Sequence, residues 1–165
     1  MTRRILRLGV LLLSVTASAI GGDEKSLRGL QGVNVLIERL SSDAEQAGLN
    51  STNIQTDVEL KLRLAGIKVL SEEESIKQRG YPYLYVDAIV GVSKNPSGLA
   101  YYSVRCALKQ AVTLTRDDSI STIATTWDTS IAGLVGTNKL QNIRDDIKDL
   151  VDEFINDYLS VNPKK

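Results

Sequence analysis

The sequence predicts an α+β fold, a two-layer sandwich in which a mixed β-sheet packs on two helices. Residues 83 to 136 alternate between apolar and polar side chains, which predicts three antiparallel strands joined by short turns. Residues 138 to 159 repeat apolar side chains at threes and fours, the spacing of an amphipathic helix. A strand, helix, strand unit precedes this meander. Because one face of the sheet is apolar, we expect the last helix to cover it.

The first residues are typical of a signal peptide. Three arginines stand among the first seven residues, ahead of the apolar run 8 to 15, and Ala17-Ser18-Ala19 supplies the small residues of a cleavage site. This pattern predicts cleavage before Ile20 and export to the periplasm or the medium. The apolar run is shorter than the ~20 residues that cross a bilayer, so we expect no membrane span in the mature chain.

Residues 1 to 19 are therefore assigned to the signal peptide and residues 20 to 165 to a single α/β domain. Within that domain, residues 20 to 29 are predicted to be a flexible lead and residues 160 to 165 a flexible tail. Cleavage leaves 17 basic against 20 acidic residues, a net charge of −3. Nothing in this composition favours a nucleic-acid partner.

The residues that usually carry catalysis are scarce. The chain has no histidine, which removes the usual general base and zinc ligand. Its one cysteine, Cys106, lies on the apolar side of a predicted strand, so we expect a buried side chain rather than an intermolecular disulfide. The acidic run at Glu72, Glu73 and Glu74 lacks the spacing of a calcium loop. We predict no catalytic residue, no cofactor and no metal site.

The first half of the domain contains the strand, helix, strand unit. Alternation in residues 30 to 38 predicts the first strand, and residues 42 to 48 predict a short helical turn. Residues 67 to 70 predict a second strand, parallel to the first if both join one sheet. Residues 71 to 81 are the most polar stretch and fit either a mobile loop or a short helix.

The segment between these strands fits two structures. Residues 58 to 64 alternate strictly, as an exposed strand would, yet the same segment also has a helical apolar stripe. A capping box of Thr52 and Gln55, a stop at Gly66 and high helix propensity favour the helix. The stripe consists of Ile54, Val58, Leu62 and Ala65.

The middle strand of the meander has the clearest pattern. Its apolar series is interrupted at Gln110, which suggests a strand end, a bulge or a satisfied polar core group. The apolar face contains Tyr102, Val104, Cys106, Leu108, Val112 and Leu114. The strands are predicted at 83 to 93, 99 to 116 and 120 to 136, with turns at 94 to 98 and 116 to 119. The stripe of the last helix consists of Leu140, Ile143, Ile147, Leu150, Val151, Phe154, Tyr158 and Leu159.

Aromatic residues form the candidate binding site. Tyr83, Tyr85 and Tyr101 have the polar-face parity of two strands that should pair, which predicts an exposed aromatic strip for a peptide, glycan or protein partner. Strand propensity alone also explains tyrosines at these positions. Trp127 fits two positions, an anchor in the core or an anchor at an interface.

Three segments resemble a group of small exported bacterial proteins of unknown function. They are residues 29 to 33, residues 57 to 67 and Thr125-Thr126-Trp127. The order of elements also looks like small envelope modules such as the N-terminal domain of the TolB translocation protein and the lipopolysaccharide-assembly lipoprotein. The resemblance implies an α/β envelope module and no known catalytic residue. The anchoring cysteine of the assembly lipoprotein is missing here, so membrane attachment is not implied.

Together these observations favour a non-catalytic exported binding or assembly module of the bacterial cell envelope. We expect it to engage a protein partner, in one mode by adding a strand at a free sheet edge. One alternative is a small-ligand or lipid carrier that uses the gap between sheet and last helix. A third is a carboxylate-dependent hydrolase. The sequence does not indicate an oligomeric state.

Overall fold

A computed structural model of the chain describes residues 24–46, 48–92 and 98–163. The predicted signal peptide, its cleavage site before Ile20 and the predicted turn at 94 to 97 lie outside these residues. The strands are β1 (Asn34–Ile37), β2 (Tyr83–Val92), β3 (Leu99–Leu114) and β4 (Asp117–Gly136). The α-helices are α1 (Ser42–Gln46), α2 (Ser51–Leu64), α3 (Glu72–Lys77) and α4 (Asn142–Val161), and 3-10 turns cover Glu24–Leu27 and Thr137–Lys139.

The strands form one mixed sheet in the order β1-β2-β3-β4. β1 runs parallel to β2, and the other neighbours are antiparallel. Helices α2 and α4 pack on one face, which we call the inner face, and on each other. The opposite face is the outer face. The predicted α+β sandwich is confirmed. In the part of the chain that the structure describes, no helix is both long and apolar enough to cross a membrane.

The core lies between the inner face and α4. The apolar alternation of β3 is buried as far as Leu108, and β4 contributes Trp127, which is 1% exposed. The Trp127 ring meets the Phe154 ring edge-on, with centroids 5.1 Å apart. Helix α4 therefore covers the sheet, as its stripe predicts. It buries Ile143, Ile147, Leu150, Val151 and Phe154, together with Ile155, which the stripe omitted. Of the other predicted stripe residues, Leu140 is buried just before the helix begins, and Tyr158 and Leu159 are partly buried.

The contested segment is helical, but its cap was predicted at the wrong residue. The N-cap is Asn50, whose side-chain oxygen accepts a hydrogen bond from the Asn53 N–H at 3.0 Å. Thr52 instead lies inside the helix. The predicted stop at Gly66 is confirmed, because that residue has φ +81°. A capping box does occur at the start of α3, between Ser71 and Glu74, so part of the polar stretch 71 to 81 is helix.

The predicted second strand is reduced to one bridge. Val69 pairs in parallel with Val33, and the bonds run from Val33 N–H to Lys68 C=O and from Leu70 N–H to Val33 C=O. The ladder then stops, because the chain turns into α3. The C=O of Leu70 accepts from the Asn34 side chain at 3.0 Å instead.

Two boundaries in the second half also differ from the prediction. The β3–β4 turn is Thr115–Arg116, and β4 begins at Asp117. The last helix begins at Asn142, after the 3-10 turn. Because β2 begins opposite Lys109, residues 111 to 123 of the hairpin extend past it as a two-stranded arm.

The predicted flexible lead and flexible tail both include residues that are part of the folded domain. Leu27 is fully buried, although the prediction placed it in a flexible lead. Helix α4 continues to Val161, past the predicted start of the tail. The Asn162 side chain accepts from Gly29 N–H at 2.7 Å and donates to Leu27 C=O at 2.9 Å. This clasp holds the two ends together.

Candidate functional site

The predicted tyrosines lie on the outer face, but at its two ends. Tyr83 pairs with Lys109 and Gly91 pairs with Tyr101, so eight residues of β3 separate the two positions. At about 3.3 Å per residue they are about 26 Å apart. Charged side chains stand between them, including the ion pair of Arg105 with Asp128 at 3.1 Å. The three tyrosines therefore do not form one continuous strip.

Tyr85 is engaged with its neighbours. Its hydroxyl donates a hydrogen bond to Glu38, and the ammonium of Lys109 lies 3.6 Å from the centre of its ring. The bond to Glu38 raises the pKa of Tyr85 to about 12 and lowers that of Glu38. Tyr85 is thus held between an anion and a cation on the outer face.

Tyr101 covers a glycine. A Cβ added at Gly91 would lie 2.1 Å from Cζ of Tyr101, so the ring rests directly on the glycine backbone. The tyrosine remains 58% exposed, and its cross-strand neighbour Leu134 is 72% exposed. Together the two residues form an exposed apolar patch at this end of the outer face.

Trp127 is not available at the surface. Its ring belongs to the core, and its Nε1 donates to Asp157 of α4 at 2.8 Å. Of its two predicted positions the structure shows the core anchor, because the inner face parity of β4 points it at α4. The candidate surface therefore does not include Trp127.

β1 has an open edge. The N–H groups of Asn34 and Glu38 donate toward β2, to Pro82 at 3.2 Å and Val86 at 2.8 Å. Backbone groups alternate in direction along a strand, so those of Val35 and Ile37 point away from β2. The bridge to residue 69 stops at Leu70. Within the described residues, the C=O of Val35 and the N–H of Ile37 have no hydrogen-bond partner.

This open edge lies in a cleft of about 640 Å³, which we call the edge cleft. β1 contributes its floor, with Asn34, Val35 and Leu36. One wall is α2 and the other is the segment 69 to 74. The wall residues are Gln55, Glu59, Arg63, Val69, Leu70, Ser71, Glu72 and Glu74.

A second, apolar pocket of about 270 Å³ adjoins the edge cleft. The two share Asn34, Leu36 and Glu72. The pocket lies where the chain from Leu70 to Tyr83 crosses the outer face of β1. Its apolar lining includes Ile76, which is 60% exposed, and Tyr81, which is 48% exposed. We call it the side pocket. It is lined by Asn34, Leu36, Glu72, Ser75, Ile76, Tyr81 and Tyr83.

The backbone at Tyr81 is strained. It has φ +48°, a left-handed conformation that costs an L-residue about 1–2 kcal/mol, and it follows Gly80 at φ +89°. The N–H of Tyr81 donates to Gln78 at 3.2 Å, and the C=O of Gly80 accepts from Ala111 at 2.6 Å. These bonds hold the strained turn, and the turn places the Tyr81 ring in the wall of the side pocket.

The carboxylates of the edge cleft differ in their partners. Glu59 accepts from Gln55 at 2.9 Å and from Arg63 at 2.8 Å. Glu74 pairs with Lys68 at 2.7 Å, and this bond lowers the pKa of Glu74. Glu72 lines both cavities and has no partner among the described residues. In the described residues there is no cluster of three or more metal-ligating side chains.

No protein-family model matches the chain, and a comparison with curated proteins finds no significant match. The site therefore has to be interpreted from its own geometry. Of the four predicted binding residues, the structure brings Tyr83 into the side pocket. Tyr85 lies nearby on β2, Tyr101 lies at the far end of the outer face, and Trp127 is in the core.

Sequence reasoning did not identify the edge cleft. Glu59 lies in the segment predicted as a helix, off its apolar stripe, and Glu72 and Ile76 lie in the stretch predicted to be the most polar. They meet at β1 because two crossovers carry residues 38 to 67 and 70 to 83 over opposite faces of it. One local signal was available, since Gly80 and Pro82 flank Tyr81 and mark a constrained turn.

Proposed function

We propose that this chain is a non-catalytic binding module that engages a protein partner by adding an extended segment of that partner to the open edge of β1. The observation that carries the proposal is a pair of edge groups without a partner among the described residues: the C=O of Val35, which lines the edge cleft, and the N–H of Ile37, two residues further along β1. The N-terminal sequence supports export from a bacterial cell and an envelope location for this module.

Strand addition fits the chemistry of the cleft. Each main-chain hydrogen bond gained from an incoming strand contributes about 0.5–1.5 kcal/mol net, so two or three bonds alone give weak binding. Additional affinity and specificity must come from side chains that enter neighbouring pockets. The side pocket adjoins this edge and can receive one such side chain.

The test uses a random twelve-residue peptide library displayed on phage and panned against the chain without residues 1 to 19. Enriched peptides are synthesised with a fluorophore and titrated by anisotropy. The key variant is Ile37→Pro, which removes the edge N–H and keeps the bonds from β1 to β2. We expect it to weaken binding at least tenfold. Ile37→Ala is the matched control, because it loses the side chain and retains the N–H.

A second test, with modified peptides and the wild-type protein, does not depend on the folding of Ile37→Pro. Methylation of successive backbone nitrogens of the bound peptide removes its donors one at a time. Strand addition predicts that methylation at alternate positions weakens binding and that methylation at the positions between them does not. Equal sensitivity at all positions, no sensitivity at any, or a library that yields no binder would overturn the proposal.

The edge of β4 is the competing location. Asp87 pairs with Arg105, and Arg105 pairs with Ser130. The N–H and C=O groups of Arg105 point toward β2. Those of Ser130, its partner on β4, therefore point away from β3 and toward the free edge of the sheet. This edge lines neither cavity. We therefore expect Ser130→Pro to leave peptide binding unchanged, and a loss of binding there would move the site to β4.

A carrier function has one observation in its favour, the apolar lining of the side pocket. The gap between the sheet and α4, where a carrier was first expected, is filled by Trp127 and Phe154. At about 270 Å³ the side pocket suits a small apolar group rather than a lipid chain. Saturable binding of a small fluorescent apolar dye that Ile76→Asp abolishes would support this second candidate.

A carboxylate-dependent hydrolase is less well supported by the cleft. Glu74 has a pKa held below its ordinary value by Lys68, which makes it a poor proton donor near neutral pH. Glu59 is engaged by Gln55 and Arg63. These contacts engage both carboxylates in ion pairs within the chain.

A further inference from the structure

The side chains that line the two cavities define which segment can bind, an inference that rests on the proposed function. In a strand added to β1, successive side chains point to opposite faces of the sheet. One parity faces outward, on the side of Leu36 and Tyr83. The other faces inward, toward Gln55, Glu59 and Arg63 of α2.

The outward parity meets an apolar surface. Leu36, Ile76 and Tyr81 are 45%, 60% and 48% exposed, and all three line the side pocket with Tyr83. An apolar side chain that enters the pocket removes this surface from water. At about 25 cal/mol per Å² of apolar area buried, a side chain of Leu or Ile size is stabilised by about 1.5–3 kcal/mol.

Acidic groups stand beside this apolar surface. The charged residues that line the edge cleft are Glu59, Arg63, Glu72 and Glu74, so acids outnumber bases by three to one. Arg63 and Lys68 already engage Glu59 and Glu74. Glu72 is the carboxylate without a partner among the described residues, and it borders both cavities. A cationic side chain of the bound segment, next to its apolar side chain, would form an ion pair with Glu72.

We infer that the segment recognised by this chain is extended and carries an apolar side chain for the side pocket and a neighbouring lysine or arginine for Glu72. Three independent features meet at this position: an open strand edge, an apolar pocket beside it and, between the two, a carboxylate that has no partner among the described residues. The inferred partner is therefore a protein with an exposed, basic and amphipathic β-type segment, rather than a helix or an acidic tail.

Two sublibraries of twelve-residue peptides test the charge. Both alternate Leu, Ile, Val or Phe with a second residue, which is Lys, Arg, Ser or Thr in one sublibrary and Asp, Glu, Ser or Thr in the other. We expect the basic sublibrary to enrich at least tenfold over the acidic one. In Glu72→Lys this preference should be lost or reversed. Glu73→Lys is the matched control, since Glu73 is exposed on the same helix and lines neither cavity.

A second pair of variants tests the pocket. Ile76→Asp places a charge in the apolar wall and should weaken the best basic peptide at least tenfold. Ile89→Asp makes the same change at an outer-face residue that is 53% exposed and lines neither cavity. It should leave binding unchanged. Thermal unfolding of each variant checks that the fold is retained, which we expect for substitutions at exposed positions.

The outcomes separate the two proposals. If peptides bind and Ile37→Pro abolishes binding, but the sublibraries enrich equally or Glu73→Lys acts as strongly as Glu72→Lys, strand addition holds and the inferred ligand class is wrong. If binding survives both Ile37→Pro and backbone methylation of the peptide, the proposed function itself is wrong. Preference for the acidic sublibrary overturns the inference in either case.

Discussion

The indole Nε1 of Trp127 donates a hydrogen bond of 2.8 Å to Asp157 Oδ2, and this bond joins β4 to α4. Trp127 is the largest fully buried side chain described, and its ring also packs edge-on against Phe154. The helix is thus held to the sheet by apolar contact and by one directed polar contact at the same residue. That combination fixes the position of α4 along β4, because the hydrogen bond tolerates little sliding.

Replacing Asp157 by Ala should destabilise the domain by about 1–3 kcal/mol, because the indole N–H loses its partner in a partly buried site. Trp127→Ala should cost about 3–5 kcal/mol through cavity formation. Urea unfolding followed by circular dichroism measures both. Asn156→Ala, at an exposed position of the same helix, should stay within about 0.5 kcal/mol of wild type. Equal losses for Asp157→Ala and Asn156→Ala would show that the bond contributes nothing.

The pair of Asp57 and Arg144 should make stability depend on acid pH. Arg144 donates two hydrogen bonds to Asp57, at 2.6 and 2.9 Å, and so connects α4 to α2. This contact lowers the pKa of Asp57. The unfolded chain therefore binds the proton more readily. The stabilisation is complete above the ordinary aspartate pKa of about 3.9 and is lost as the pH falls through the depressed value.

Asp57→Asn should accordingly lose about 1 kcal/mol of unfolding free energy at pH 7, a value kept small because Arg144 is 42% exposed. Well below pH 3 the variant and the wild type should be nearly equal. Urea midpoints from pH 2 to 7 measure the difference. Asp149→Asn is the control, since Asp149 is exposed on the same helix and has no partner among the described residues. A constant gap at every pH would contradict the assignment.

Cys106 should be chemically inert in the folded protein. It is 1% exposed on the inner face of β3, and burial, with Glu153 nearby, raises the pKa of its thiol. We expect no reaction with a thiol-specific chromogenic reagent over an hour at pH 8 and complete reaction in 6 M guanidinium chloride. Reaction of the native protein at a rate close to that of the denatured one would show that β3 opens readily. Cys106→Ser should be destabilising, whereas Cys106→Ala should be milder.

Gly91 and Tyr101 should be energetically coupled. Gly91→Ala places a methyl group where the Tyr101 ring lies, so the ring must leave the strand surface and loses its packing. We expect a loss of about 1 kcal/mol. In the Tyr101→Ala background the same change should be neutral or slightly stabilising, since Ala suits a strand better than Gly does. A double-mutant cycle by urea unfolding gives the coupling. Additive effects would contradict the close packing.

The secondary structure could be predicted wherever a local pattern was strong. Alternation identified β2 and β3, and the stripe from Leu140 to Phe154 identified the helix that covers them. Caps were harder, because Asn50 and Thr52 are both good N-cap residues and the neighbouring backbone decides between them. The strand predicted at residues 67 to 70 is reduced to the bridge at Val69, because the chain turns into α3 directly after it.

The candidate site was less predictable, for a topological reason. Parity correctly placed Tyr83, Tyr85 and Tyr101 on one face, but it could not tell that the first and last lie at opposite ends of paired strands. Trp127 has the same strand neighbours whether it faces α4 or a partner. Glu72 and Val35 line the same cleft only after two crossovers have folded, and no local sequence pattern indicates this.

The clasp formed by Asn162 with Leu27 and Gly29 has a consequence for the connectivity of the protein. Since the two ends of the described part of the chain meet there, a short linker could join them, and new termini could open at the exposed Thr115–Arg116 turn. Such a circular permutant would keep every strand pairing while reversing which half is synthesised first. In this architecture the order of the segments along the polypeptide is thus separable from their arrangement in space.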